Sequence, residues 1–100
     1  MKERDNEVGA RCNIVIGWAG GNGDKIFIGE HYIRTTGLFA DEIPFTRVQR
    51  IEDQHKGLFK SFHFFIEYTN SHGKFVRMRI SSGDKLMLLQ ALKDHGFTIY

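Results

Sequence analysis

The segment that decides the fold runs from residue 61 to residue 80 and reads SFHFFIEYTNSHGKFVRMRI. Apolar and polar residues alternate in both halves of the segment, which is the period of a β-strand with one buried face. An antiparallel pairing brings the two apolar sets onto one face when Tyr68 lies opposite Val76 and Phe64 lies opposite Ile80. The segment therefore predicts a β-hairpin.

The same pairing predicts the turn and the opposite face of the hairpin. The connection is the three residues Ser71-His72-Gly73, with glycine at the position that requires a left-handed backbone. On the face away from the apolar set, Glu67 lies opposite Arg77. Such a cross-strand pair of opposite charges adds at most about 1 kcal/mol of stability.

Downstream of the hairpin, the apolar period changes to that of a helix. Three leucines spaced three residues apart share one helical face, which predicts a helix over residues 83–95. Ser81 and Asp84 resemble a capping box at its start, and Gly96 is placed to end it. Residues 97–100 are mostly apolar and either pack back onto the domain or extend a sheet edge.

Upstream of the hairpin, short strands joined by glycine-rich turns are predicted. Residues 1–8 read as a flexible polar lead-in to a single domain over residues 9–100. A strand is predicted over residues 12–18 and a hairpin turn over residues 20–24, where Asn-Gly supplies a positive φ at low steric cost. The glycine-rich turn lacks the lysine and the following helix of a phosphate-binding loop.

The middle of the chain allows two interpretations. Pro44 is expected at a strand start or on a sheet edge, where its missing N–H breaks no ladder bond. Residues 46–53 fit either a strand with a bulge or one helical turn that leads into a strand. The whole chain is predicted to be mainly β (α+β), with about six or seven antiparallel strands and one C-terminal helix.

Three segments of the chain resemble the bacterial pleckstrin-homology-like (PH-like) domain family. They are residues 32–37 (YIRTTG), residues 42–52 (EIPFTRVQRIE) and residues 80–92 (ISSGDKLMLLQAL). The resemblance implies a roll or barrel of two nearly orthogonal sheets that is closed by the C-terminal helix. It also implies a binding or assembly module, and it implies no reaction.

Charge and composition exclude several classes of function. Fourteen basic residues against twelve acidic ones leave a formal charge of +2, which argues against a dedicated nucleic-acid-binding protein. The single cysteine, Cys12, forms no intramolecular disulfide and suits a reducing compartment. The longest apolar runs fall far short of the roughly 18 to 20 residues that span a bilayer, and the charged N-terminus is no secretory signal. The cytoplasm is therefore the expected location.

The spacing of reactive residues predicts no enzyme, no cofactor and no metal site. The five histidines lack the close spacing of metal ligands. Cys12 begins an apolar strand and reads as a small buried side chain. The neighbouring carboxylates Asp41-Glu42 and Glu52-Asp53 would point to opposite faces of a strand, which is poor geometry for acid–base catalysis on one substrate.

A face with aromatic and basic residues is the main functional candidate. Phe65, Phe75, Arg77 and Arg79 share the hairpin face opposite the core set. Aromatic residues and arginine favour protein interfaces, so we expect a non-catalytic module that binds a protein partner or forms a homo-oligomer. The alternatives are that the chain's own loops cover Phe65 and Phe75, or that the face binds single-stranded nucleic acid weakly.

A third alternative is an anionic-lipid or small-ligand site near the first hairpin. Lys25 is the cation that this hairpin contributes, and it follows Asp24 directly. Members of the resembled family that bind phosphoinositides place several lysines and arginines there. The single lysine therefore argues against phosphoinositide binding.

Overall fold

A computed structural model describes residues 6–54 and 61–100, and these form eight strands, a 3-10 turn and one helix. The first five strands are β1 (Val8–Ile16), β2 (Ala19–Gly20), β3 (Asp24–Ile28), β4 (Tyr32–Thr35) and β5 (Asp41–Pro44). A 3-10 turn (Phe45–Arg47), β6 (Val48–Asp53), β7 (His63–Thr69), β8 (Phe75–Ser81) and the helix α1 (Lys85–Asp94) follow. The prediction of a mainly β chain with a C-terminal helix is confirmed.

The longer strands form one antiparallel sheet in the order β5-β4-β3-β1-β8-β7-β6, and the short β2 pairs with β1. The long strand β1 is shared by the two halves of the sheet, since residues 8–12 pair with β3 and residues 13–16 pair with β8. In the described part of the chain, β5 and β6 stand at opposite ends of the order and do not pair. The sheet is therefore not closed into a barrel, which corrects that part of the prediction.

The edge of β6 is occupied by the C-terminal residues. Ile99 forms a parallel bridge with Ile51. The Tyr100 N–H donates to the Ile51 carbonyl at 2.9 Å, and the Asp53 N–H donates to the Tyr100 carbonyl at 2.7 Å. These bonds use edge groups that another strand would need in order to close the sheet. Edge extension is thus confirmed for these residues, while Phe97 packs back against the core.

The β7–β8 hairpin has the predicted register. Tyr68 lies opposite Val76, and Phe64 lies opposite Ile80. Phe64, Tyr68 and Ile80 are buried with residues of β1, β3 to β6 and α1 in a single core. Gly73 has a φ of +75°, which confirms the left-handed glycine in the turn.

The end of α1 follows the prediction. Gly96 has a φ of +95°, and its N–H donates to the Lys93 carbonyl at 2.9 Å. The Phe97 N–H donates to the Leu92 carbonyl at 3.1 Å. These two bonds form a Schellman motif that satisfies carbonyls at the helix end. No helix in the described part of the chain is long and apolar enough to cross a bilayer.

The start of α1 differs from the prediction, because the capping box of Ser81 and Asp84 does not form. Ser81 is the last residue of β8, so its side chain lies on the sheet and its hydroxyl contacts the ring of His63. The hydroxyl of Ser82 instead accepts the Asp84 N–H at 3.1 Å and donates to the Arg11 carbonyl at 2.8 Å. The helix therefore begins two residues later than predicted and is tied to β1.

The N-terminal boundary lies earlier than the sequence indicates. Residues 1–5 of the predicted lead-in lie outside the described residues, but Glu7 is buried and Val8 begins β1. The Glu7 carboxylate accepts hydrogen bonds from the Tyr32 hydroxyl at 2.6 Å and from the Arg34 guanidinium at 2.9 Å. A buried charge that is paired in this way is part of the folded domain.

The first hairpin turns earlier than predicted. The strand expected over residues 12–18 ends at Ile16, which pairs with Ala19. The chain reverses at Gly17 and Trp18, and Gly17 has a φ of +60°. The predicted turn at the Asn-Gly pair is a second turn, between β2 and β3.

The connection from β5 to β6 contains both features that the sequence left open. A 3-10 turn leads into β6, and the pairing of β6 with β7 shifts register between Val48 and Arg50. Pro44 is the last residue of β5, a strand at the end of the sheet. Its expected position on an edge is therefore confirmed.

Cys12 is buried, and we expect it to resist thiol reagents in the folded protein. Burial, with a smaller contribution from the Asp24 carboxylate, raises the pKa of its thiol from 9.0 to about 12. The folded state favours the protonated thiol. Its contribution to the free energy of unfolding is therefore fully present below the pKa of the unfolded thiol, and it is lost as the pH rises toward the pKa of the folded thiol. Thiol titration with a chromogenic disulfide near neutral pH should give no reaction until denaturant is added. Rapid reaction of the native protein would contradict this expectation.

Candidate binding surface

Four of the five predicted site residues lie together on one face of β7 and β8. Phe65 is opposite Arg79, while Arg77 is opposite Glu67 and Phe75 is opposite Thr69. Their side chains alternate with those of the core, so they project from the other side of the sheet. We call this side of β6, β7 and β8 the outer face.

Lys25 does not belong to the outer face. It lies in β3, where its backbone pairs with Arg11 of β1. Its N–H donates to the Thr36 hydroxyl at 3.0 Å. Because β3 belongs to the other half of the sheet, Lys25 is not brought together with the aromatic and arginine residues of β7 and β8.

Arg77 is held by ion pairs within the outer face. Its guanidinium contacts the Glu67 carboxylate, lies 3.3 Å from that of Glu52 and stacks 3.9 Å from the ring centre of Phe65. Partial burial lowers the pKa of Arg77, but the hydrogen bonds to Glu67 and Glu52 outweigh it and raise that pKa overall. Glu52 also lies 3.7 Å from Arg50. Both carboxylates on this face are therefore occupied by arginines.

The two phenylalanines differ in exposure. Phe65 is half-buried beneath the Arg77 guanidinium. Phe75 is 59% exposed at the start of β8. The chain therefore covers Phe65 in part, through the stacked arginine, and leaves Phe75 as exposed apolar surface.

Arg79 lies between two apolar neighbours, Val15 of β1 and Phe65 of β7. Its Nε atom is buried and finds no hydrogen-bond acceptor within residues 6–54 and 61–100. None of the ion pairs formed in these residues includes Arg79. Within the described residues, Arg79 is therefore a cation without an ion pair.

Two exposed aromatic residues near this surface were not singled out from the sequence. Trp18 is fully exposed in the β1–β2 turn. Because Ile16 pairs with Met78, that turn lies toward the end of the sheet where β8 begins with Phe75. Tyr100 is 60% exposed, and the Arg50 guanidinium lies 4.4 Å from its ring centre. Recognition of the tight turn at Gly17 would have drawn attention to Trp18.

No group of histidine, cysteine, aspartate and glutamate that could hold a metal ion occurs in the described residues. The His63 ring bonds to the Ser81 hydroxyl, and the His95 ring lies 5.3 Å from that of Phe45. His55 lies outside the described residues. The histidines that the structure describes thus have separate environments.

Comparison with known proteins finds no family model that matches the chain and no curated protein with a significantly similar sequence. Function must therefore be inferred from the geometry of the outer face.

Proposed function

We propose that the chain is a non-catalytic binding module of PH-like architecture whose outer face binds a protein, either a second copy of the chain or another partner. The observation that carries the proposal is the exposed ring of Phe75 on the same face as the Arg77–Phe65 stack. Aromatic residues and arginine dominate the binding energy of protein interfaces. The order of the strands and the helix that follows them in the described residues support the PH-like architecture.

The balance of charge favours a protein over a nucleic acid. Arg77 and Arg50 are paired with Glu52 and Glu67, so the outer face has little net positive charge. Nucleic-acid binding draws most of its affinity from unpaired cations that neutralise phosphates. The phosphates of a nucleic-acid strand on this face would approach the carboxylates of Glu52 and Glu67 as well as the arginines, and the carboxylates would repel them.

The first hairpin offers less support for binding an anionic lipid. Residues 17–23 contain no charged side chain, and Lys25 lies further along, in β3. The proposed location is the cytoplasm, where the single cysteine would stay reduced.

Phe75→Asp is expected to abolish the proposed protein contact without unfolding the domain, because this ring is mostly exposed. Size-exclusion chromatography with light scattering over a range of concentrations would detect self-association, and chemical cross-linking with mass spectrometry would detect other partners. Leu86→Asp is the matched control, since Leu86 is 77% exposed on α1, away from the outer face. The contact should persist in this variant.

A wild-type protein that stays monomeric at every concentration and cross-links to the same proteins as Phe75→Asp would contradict the proposal. Loss of the contact in both variants would also contradict it, because the effect would then not depend on the outer face.

A further inference from the structure

We propose that Arg79 is the point at which the outer face receives a carboxylate from an extended acidic segment of the partner protein. This inference rests on the proposed function and names the chemistry of the partner. Its starting point is the partly buried Arg79, which forms no ion pair in the described part of the chain and whose buried Nε finds no acceptor there. A buried donor without a partner is rare in native proteins and calls for a physical explanation.

The described neighbours of Arg79 do not supply the missing acceptor. Val15 and Phe65, which flank it on the adjacent strands, have apolar side chains. Glu52, two strands away in the same row, is bound by Arg77 and lies near Arg50. Glu67 is bound by Arg77. Because Arg79 as a whole is only partly buried, an acceptor from outside these residues can reach its side chain, although not the buried Nε itself.

A carboxylate fits this position better than a chain of phosphates does. The planar guanidinium presents parallel N–H donors that match the two oxygens of a carboxylate. A single carboxylate needs only Arg79, whereas a nucleic-acid strand that runs across the outer face would approach Glu52 and Glu67. The local charge thus favours an isolated acidic side chain over a polyanion.

The distance from Arg79 to Phe75 suggests the form of the partner segment. The two residues lie four positions apart on the same face of β8, which corresponds to about 13 Å along a strand. An extended peptide that follows β8 can place an acidic side chain at Arg79 and an apolar one at Phe75. These two side chains would then lie an even number of positions apart, close to four.

Selection from a displayed library of random peptides tests this inference without knowledge of the natural partner. Peptides selected on the wild-type protein should be enriched in Asp or Glu with an apolar residue about four positions away. Selection on Arg79→Gln should lose the acidic residue and keep the apolar one. Arg50→Gln is the matched control and should select the same peptides as the wild type, because Arg50 already has Glu52 as a partner.

Fluorescence polarisation of one selected, labelled peptide then measures the contact. Arg79→Gln should weaken binding about tenfold to hundredfold, the range expected for loss of a charge-assisted hydrogen bond. Replacing the acidic residue of the peptide by its amide should cause a similar loss, and the two changes together should cost little more than either one alone. This coupling identifies the contact even if Arg79→Gln alters the surface elsewhere.

Three results would overturn the inference. Selected peptides without acidic enrichment that still depend on Phe75 would refute the carboxylate contact and leave the protein-binding proposal intact. Displacement of the peptide by oligothymidylate in an Arg79-dependent manner would assign the position to nucleic acid. If the wild type selected no peptides, or only peptides that Phe75→Asp also selects, the proposed function would be contradicted as well.

Discussion

Gly37→Ala is expected to lower the free energy of unfolding by about 3 kcal/mol, through backbone strain and steric overlap together. Gly37 has a φ of +90°, a conformation that disfavours a side chain. A Cβ atom at this position would also overlap the Oδ1 atom of Asp24. Asp24 is buried and its Oδ2 accepts the Ile14 N–H at 3.2 Å, so the carboxylate cannot move away without losing that bond. Urea denaturation followed by circular dichroism measures the change.

Gly73→Ala separates the two causes. Gly73 has a φ of +75°, similar to that of Gly37, but no atom lies within 4 Å of where its Cβ would stand. This control should cost about 1 kcal/mol, which reflects the backbone alone. Equal losses in the two variants would show that Asp24 yields to the new methyl group, and would contradict the role assigned to the buried carboxylate.

The parts of the fold that could be predicted depend on interactions between residues close in sequence. The β7–β8 register follows from the alternation of apolar residues and from the left-handed glycine at position 73. The end of α1 follows from Gly96 in the same way. In each case the deciding residues lie within one turn or one hairpin, so the pattern contains the information.

The errors arise where distant residues decide the local structure. Ser82, and not Ser81, binds at the start of α1, because its hydroxyl is also held by the carbonyl of Arg11. The sheet is open, and Ile99 and Tyr100 occupy the edge of β6. Neither contact leaves a periodic signal, since its partners lie tens of residues apart.

The outer face was predictable in composition and in part of its charge pairing. The period of two in β7 and β8 places Phe65, Phe75, Arg77 and Arg79 on one side, as the structure does. The pairing of Arg77 with Glu52 depends on the register of β6, which includes a shift that the sequence does not signal. The predicted pair of Arg77 with Glu67 is confirmed, and the described contacts leave Arg79 as the arginine of this pair of residues that forms no ion pair.

Lys85 presents the largest conflict between a local rule and the structure. It occupies the first turn of α1, where the helix dipole disfavours a cation. The structure offsets this cost with acceptors from the β6–β7 region: the Lys85 Nζ lies 2.5 Å from Asp53 Oδ1 and 2.8 Å from the Ser61 carbonyl. The carbonyls of Gln54 and His63 accept from the same ammonium at 3.3 Å. This cation therefore joins the ends of the segment between β6 and β7 to the helix.

Lys85→Met is expected to lower the free energy of unfolding by about 3 kcal/mol, because it removes the ammonium that bonds three backbone carbonyls and pairs with the mostly buried Asp53 carboxylate. Methionine retains much of the length and apolar volume of the side chain, so the loss reflects the ammonium and not a cavity. Lys93→Met is the matched control in the same helix; Lys93 is exposed, and its removal should cost well under about 1 kcal/mol. Denaturant unfolding of both variants measures the difference. Equal free energies of unfolding for Lys85→Met and Lys93→Met would contradict the prediction. They would show that the contacts of the Lys85 ammonium only offset the cost of burying it and add no net stability.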